Sequence, residues 1–371
     1  IYLRGELHDL PGQTVMGVPS QPQTLVDAGI VSAERAEQMN AELGACELLT
    51  DDVSVGELVR RRLGDEVVDN LIDPLLGGVY AGDVDRLSLC ATIPTLADAL
   101  RQEPSLLRTA ATLRAAATPG PVFASVHGGM GRLAERTVNA LRDAGVGLRS
   151  GVSVRGLTRA SSGWELALED AEVIESVNAD AVLLAVPADV AVRLLAGAAP
   201  AAAAEIATIP HASVAIVNLV LPPTRLPDGS GVLVPSSAGL TVKAATFVDQ
   251  KWGRVVSDSQ LVRLSVGRYR DTTQVSRGDA ELVEACLADL SRILGPVPEP
   301  LAAMVHRWPA GLPQYLVGQL DRVRRARELL AETGDIAIAG AGYDGVGIAA
   351  CIGSAHRAAE ELAVGYFRYG Q

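Results

Sequence analysis

The stretch Asp335-Ile336-Ala337-Ile338-Ala339-Gly340-Ala341-Gly342-Tyr343-Asp344-Gly345-Val346-Gly347 decides the fold. Its first five residues read as a short buried strand, the glycine-rich part as a tight loop, and Ile348 to Leu362 as a helix. Gly340, Gly342 and Gly345 spell G-x-G-x-x-G between strand and helix, the letters of a dinucleotide-binding fingerprint. We read this as a decoy. The fingerprint needs a further strand after the helix, ending in an acidic residue that holds a ribose. Glu360 has about the right spacing but lies inside the helical Ala-Ala-Glu-Glu-Leu run, and the sequence stops at Gln371. The glycines can still serve a ligand. A helix that starts at a glycine turn presents unpaired amides and the positive end of its dipole, favouring a negative group by about 0.3–1 kcal/mol.

Upstream of that stretch, Ala181-Val182-Leu183-Leu184-Ala185-Val186-Pro187 is a continuous apolar run stopped by proline, as expected for a central strand covered on both faces. Between about Val122 and Pro187 the pattern is α/β. His127-Gly128-Gly129-Met130-Gly131 leads into a helix carrying Leu133, Val138 and Leu141, followed by strand candidates at 151–157 and 164–168. From about Ala188 to Glu332 the segments 213–220, 241–247 and 261–267 alternate as strands of a second, more antiparallel sheet, and Ala199 to Ala204 is alanine-rich enough to start a helix.

The N-terminal third differs. Ile1-Tyr2-Leu3-Arg4-Gly5-Glu6-Leu7-His8 reads as a hairpin hinged at Gly5, with no initiator methionine and no signal-peptide pattern, and we expect a fragment of a longer chain. From about Thr24 to Ala116 apolar residues recur three and four apart. Ser54-Val55-Gly56-Glu57 fits a capping box, and the helix after it sends Leu58, Leu63, Val67 and Leu71 towards a core. Gly77-Gly78-Val79-Tyr80-Ala81-Gly82 ends that helical run, the paired glycines permitting a tight turn or the close approach of a ligand.

Composition narrows the classes. With 371 residues, 48% of them hydrophobic, the chain can bury a large core in two or three domains. A net charge of -12 opposes binding to nucleic acid and to anionic membranes. Cys46, Cys90, Cys286 and Cys351 are scattered, as are the five histidines, so neither a disulfide framework nor a metal site is expected. The most apolar stretch, Ala179 to Pro210, is broken by Asp180, Pro187, Asp189 and Arg193 and falls short of the ~20 apolar residues of a spanning helix.

Gly340 to Ile352 closely resembles the C-terminal flavin-contact motif of bacterial coproporphyrinogen III and protoporphyrinogen oxidases. Further segments agree in order: Gly5-Glu6-Leu7-His8-Asp9-Leu10-Pro11 with Met16-Gly17-Val18-Pro19, Leu75 to Gly82, and Gly128 to Leu133. Then come Leu184 to Ala188, Lys243-Ala244-Ala245-Thr246-Phe247 with Lys251-Trp252, and Arg307-Trp308-Pro309 with Leu312-Pro313-Gln314-Tyr315. Single glycine turns are common, but seven agreements in sequence cover nearly the whole chain.

The resemblance implies an α/β, FAD-binding, amine-oxidase-type fold whose first βαβ unit lies before Ile1, together with a mixed-sheet substrate domain and a helical insertion. The implied division is 1–23 as substrate-domain strands, 24–118 as a helical subdomain, 119–190 and 333–371 as parts of the FAD-binding domain, and 191–332 as the substrate-binding domain. FAD would be held non-covalently, with Val154 facing the adenine and Trp308 near the flavin, and with Gly340, Tyr343, Gly345, Val346, Gly347 and Ile348 at the ring, where the reduced flavin gathers negative charge. Gly77 and Gly78 would border a tetrapyrrole cavity.

The implied reaction is oxidation of coproporphyrinogen III, in haem biosynthesis, with oxygen as acceptor and hydrogen peroxide as product. It would take place in the cytoplasm, with the next haem-pathway enzyme a possible partner. The cofactor carries the chemistry in such sites, so no catalytic side chain is named. Ala349-Ala350 stands where relatives have Pro-Asp or Pro-polar, which could loosen the loop. An arginine that pairs a substrate propionate in relatives would fall before Ile1, which puts independent activity of this chain in question.

Alternatives remain: protoporphyrinogen IX as substrate, another flavin amine oxidase or desaturase, or an inactive porphyrin-binding fragment. The coproporphyrinogen reading leans on motifs of Gram-positive type. Which of Arg263, Arg268 or Lys243 faces the substrate carboxylates is open in the sequence.

Overall fold

The computed structural model describes residues 1–44, 46–118, 120, 123–171, 173–253 and 258–369. Val122, where the α/β pattern is expected to begin, and residue 119, an expected domain edge, lie outside them, as does Gln371.

The chain opens on the expected hairpin: Tyr2–Leu3 pairs antiparallel with Glu6–Leu7, and Arg4 and Gly5 turn it with positive φ. Short helices follow, among them Gln23–Asp27, Ala33–Met39, Val55–Leu63 and Leu106–Ala116. At Val55–Leu63 the Ser54 hydroxyl accepts from the Glu57 amide at 3.1 Å, the serine half of the capping box. Leu58, Leu63, Val67 and Leu71 all enter one core with Leu25, Ile30 and Leu96, as their spacing predicts.

The turn expected at the paired glycines is not there. Val68–Gly77 is wound as a π-helix with Pro74 inside it. Gly77 and Gly78 keep helical φ of -61° and -62°, and the chain runs on as the helical turn Gly78–Tyr80 before reversing at Ala81, whose φ is +49°. Pro74 supplies no N–H, so the wider winding absorbs the missing bond without ending the helix. A Cβ on Gly77 would meet the Gly82 carbonyl at 3.4 Å, and one on Gly78 would meet Leu233 at 3.8 Å, both ordinary contacts, so neither the backbone angles nor the packing here requires glycine.

Three sheets carry the rest. Val152–Arg159, Trp164–Asp170 and Val173–Ala179 form an antiparallel meander; the first two match the expected strands, and the third is additional. Val182–Leu184 lies parallel to Ile336–Ile338, in register Val182 to Ile336. Among the described residues this strand has that one partner, not the two of a central strand. Helices Ala188–Ala198, Pro200–Ala207 and Gln319–Ala331 build the core beside this pair, with Ala191, Leu195, Ile206 and Leu330 in contact.

The largest sheet is antiparallel, in the order Gly231–Leu233, Val242–Phe247, Gln260–Val266, His211–Leu221, Ala302–Pro313. Three of these strands match the expected 213–220, 241–247 and 261–267. The strand Ala302–Pro313 carries Pro309 and Pro313 and a register shift between Trp308 and Leu312, features that hide a strand from pattern reading. One face of the sheet is sealed by the helix Asp279–Leu294 through Leu282, Cys286 and Leu290. Register lines up two rows: Ala244, Ser265, Ile216 and His306, then Thr246, Arg263, Asn218 and Met304. None of these eight side chains is fully buried. That face is the open one.

Amphipathic pattern and burial part company at Gly131–Asp143: the helix forms as expected, with Leu133, Val138 and Leu141 on one stripe, yet none of its residues is buried. No helix among the described residues is long and apolar enough to cross a membrane.

Candidate active site

The loop that joins Ile336–Ile338 to the helix Ile348–Tyr369 is tied down at nearly every residue. The Ala339 amide donates to the Leu184 carbonyl at 3.0 Å and the Tyr343 amide to that of Gly340 at 3.1 Å. Gln319 Nε2 donates to the Gly342 carbonyl at 3.0 Å, and the Tyr315 hydroxyl donates to the Ala341 carbonyl. Gly340, Gly345 and Gly347 have φ of +122°, +135° and +119°, values that side chains beyond glycine rarely adopt. A Cβ on Gly345 would meet that of Ala350 at 2.9 Å, whereas at Gly340 and Gly347 it would meet nothing. Those two glycines leave a cradle open at the start of the helix.

Asp344 is the knot of this loop, its side chain 8% exposed. Arg327 grips it with both terminal nitrogens, at 2.9 and 2.5 Å. Arg357 and the Ser354 hydroxyl also donate to it, and Ser354 in turn accepts from the Gly340 amide at 2.9 Å. Burial pushes the Asp344 carboxyl up, but hydrogen bonds from Arg327 and Ser354 and the charges of Arg327 and Arg357 outweigh it, so the group sits below the usual carboxylate range.

Of the site residues expected from sequence, Gly340, Tyr343, Gly345, Val346, Gly347 and Ile348 meet in this one loop. Tyr343 points into the core beside Leu330 and Ile336, where burial pushes its phenol up to about 12 and its hydroxyl has no hydrogen-bond partner among the described residues. Val346 packs instead on the helical core. Ile348 is 50% exposed. Val154 and Trp308 stand on two other sheets. Val154 lies opposite Leu168 beside a register shift and is 38% exposed. Trp308, opposite Val214 at the start of the bulge in Ala302–Pro313, is 56% exposed.

Gly77 and Gly78 connect to the loop through aromatic residues. The Tyr80 carbonyl accepts from Gln314 Nε2 at 2.8 Å, and the Tyr80 ring lies 5.8 Å from that of Tyr315, whose hydroxyl reaches Ala341. Asp73, on the same π-helix as Gly77, accepts from the Ser236 amide at 2.7 Å. The sheet region beside these glycines contributes Leu233 and Ala244 to a cavity of about 550 Å³ that the N-terminal segment Leu7 to Leu10 also lines.

Sequence reasoning passed over Asp344, Ser354 and Arg327 as site residues. A lone carboxylate in a glycine loop, with serine and arginine ten and thirteen residues later, is the signal that could have found two of them; Arg327 is brought in by tertiary packing. Among the described residues no cluster of His, Cys, Asp or Glu has the make-up of a metal site.

The chain matches the family model for flavin containing amine oxidoreductase over residues 4–363. It is 38% identical to a coproporphyrinogen III oxidase of Mycobacterium leprae over 372 residues, covering 98% of this chain and 78% of the relative. It is 30% identical to a coproporphyrinogen III oxidase of Bacillus subtilis, covering 95% of this chain and 76% of that one. A crystal structure of an Exiguobacterium protein assigned as a protoporphyrinogen oxidase superposes with a TM-score of 0.84 at 31% identity, covering 97% of this chain and 78% of that chain.

A flavin fits the residues present here. The open surface at Gly340 and Gly347 would be filled by any Cβ, and the loop that carries it is braced from behind by Asp344, Tyr315 and Gln319, so a planar group can approach backbone that does not yield. The family match and this cradle agree: the chain belongs to the flavin containing amine oxidoreductases, with FAD as cofactor.

Proposed function

We propose that this chain is the FAD-dependent oxidase that converts coproporphyrinogen III to coproporphyrin III. The observation that carries the reading is the braced glycine loop at the start of Ile348–Tyr369, in a chain that is 38% identical over almost its whole length to a coproporphyrinogen III oxidase. When bound, FAD supplies three successive two-electron oxidations, removing six hydrogens in all, each followed by transfer of two electrons and two protons to oxygen to give one hydrogen peroxide.

The protein's part is placement. In this reading Gly340, Gly345, Val346, Gly347 and Ile348 hold the flavin ring against the helix start. The helix dipole there stabilises negative charge by about 0.3–1 kcal/mol, more where water is excluded. Trp308 and Val154 border the cofactor, Tyr343 anchors the loop from inside the core, and Gly77 and Gly78 border the tetrapyrrole. The open sheet face, with Arg263, Asn218 and His306 in its two rows, receives the tetrapyrrole. The acidic charge balance and the absence of a spanning helix among the described residues fit work in the cytoplasm, next to the enzyme that takes up the porphyrin.

The test is aerobic turnover of coproporphyrinogen III against protoporphyrinogen IX with FAD supplied, following porphyrin fluorescence and peroxide together. It is run on this chain and on a form carried upstream in its own reading frame. Faster oxidation of coproporphyrinogen with three peroxides per porphyrin is the expected result. A preference for protoporphyrinogen would change the substrate, and no oxidation of either by both forms would refute the reading.

A further inference from the structure

Lys243 is the most deeply buried cation described in the molecule. Its side chain is 3% exposed, and among the described residues no carboxylate lies within the 4.0 Å of an ion pair. Among the described residues its Nζ makes one hydrogen bond, a long one of 3.5 Å to the Gly78 carbonyl. The charge that acts on it has the same sign: Arg268, itself half-buried, donates to the Val234 carbonyl at 3.1 Å. Asp73 and Asp271 act on Arg268 and leave Lys243 uncompensated. Burial first, and the Arg268 charge second, bring the lysine to about 7.

A lysine taken out of water without a counter-charge is costly, and a leucine or methionine would fill the same space without that cost. The place explains the chemistry. Lys243 sits where register slips between Val242 and Ala244, its carbonyl accepting from the Val234 amide at 3.0 Å. The adjoining Leu233 and Ala244 line the 550 Å³ cavity, and Gly78 is the backbone that closes on Leu233.

We propose that Lys243 and Arg268 together form a carboxylate-binding site, one that takes a propionate arm of the tetrapyrrole beside the Leu233 and Ala244 part of the cavity wall. This rests on the tetrapyrrole reading above. A carboxylate between the two would accept charge-assisted bonds from both and restore the missing counter-charge. Coproporphyrinogen has four such arms and protoporphyrinogen two, so the site contributes to the choice between them. Arg263 is a separate cation of the same cavity side: it is exposed on the open face, in the row with Thr246 and Asn218.

The experiment is equilibrium binding of coproporphyrin III and of its tetramethyl ester, by porphyrin fluorescence, to the FAD-supplemented chain and to its Lys243→Met, Lys243→Arg and Arg268→Gln variants. Near-ultraviolet circular dichroism checks the fold of each. Losing one charge-assisted bond should weaken the free acid about 10- to 100-fold in Lys243→Met and in Arg268→Gln, leave the ester within about twofold, and be largely restored in Lys243→Arg. Equal weakening of acid and ester, or no change in either, overturns the site while leaving the oxidase reading intact. Binding of neither porphyrin by the parent chain overturns both.

Discussion

The Gly340 amide and the Ser354 hydroxyl, fourteen residues apart, meet at 2.9 Å, so the first turn of the glycine loop is fastened to the helix that the loop introduces. Ser354 is fully buried and passes the contact on to Asp344. Ser354→Ala leaves the Gly340 amide without its partner in a dry place and removes one of the donors to an Asp344 oxygen that Arg327 still holds, a change that costs about 1–3 kcal/mol. Denaturant unfolding should show that loss, and FAD should dissociate several-fold faster in gel filtration. A variant as stable and as yellow as the parent would mean the loop holds itself.

Asp344→Asn tests the same brace from its charged end. Arg357 loses its counter-charge while Arg327 keeps Glu361 at 3.9 Å, and breaking a buried pair costs about 3–5 kcal/mol, the lower figure applying here because Arg357 is half exposed. The pH dependence has a definite sign. The folded carboxyl lies below its ordinary value of 3.8, so its contribution is fully present above that value and is lost as pH falls through the folded value. Parent and variant melting temperatures should differ by a constant amount at neutral pH and converge below about pH 4.

Gly345 and Gly347 should separate folding from cofactor binding. Alanine at either takes up a backbone conformation costing about 1–3 kcal/mol, but only at Gly345 does the new methyl run into Ala350, at 2.9 Å. Gly345→Ala should lower thermal stability markedly. Gly347→Ala, whose methyl enters open space, should fold with a small loss and bind FAD poorly, read by flavin fluorescence titration. Equal FAD affinity in Gly347→Ala and the parent would remove Gly347 from the cradle.

What the sequence revealed follows from how local each signal is. The strand, loop and helix around Gly340 were readable because β-run, glycines and apolar helix follow one another without interruption, and the alternating strands at 211–221 and 260–266 were readable for the same reason. Pro74 and the glycines after it mimic a helix end, yet a π-helix carries the chain through, its wider winding absorbing the missing proline N–H while Leu71, Ile72 and Leu76 stay buried. The strand Ala302–Pro313 was masked by its own bulge. Arg327 and Lys243 could not have been placed at all: one is recruited across 17 residues of loop and helix, and the other lies 165 residues from the carbonyl it touches.

Lys243 also makes a prediction about stability alone. Its ordinary value of 10.5 applies to the unfolded chain and about 7 to the fold, so between those values the unfolded state binds more protons and stability rises with pH. Below pH 7 both states are protonated and the fold bears the whole cost of a buried cation. Lys243→Met removes that cost at every pH. Its stability advantage over the parent, measured without porphyrin, should therefore be largest near pH 6 and shrink by about 2 kcal/mol towards pH 9. A difference that stays flat over this range would mean that the lysine keeps its proton in the fold, held by groups other than the Gly78 carbonyl.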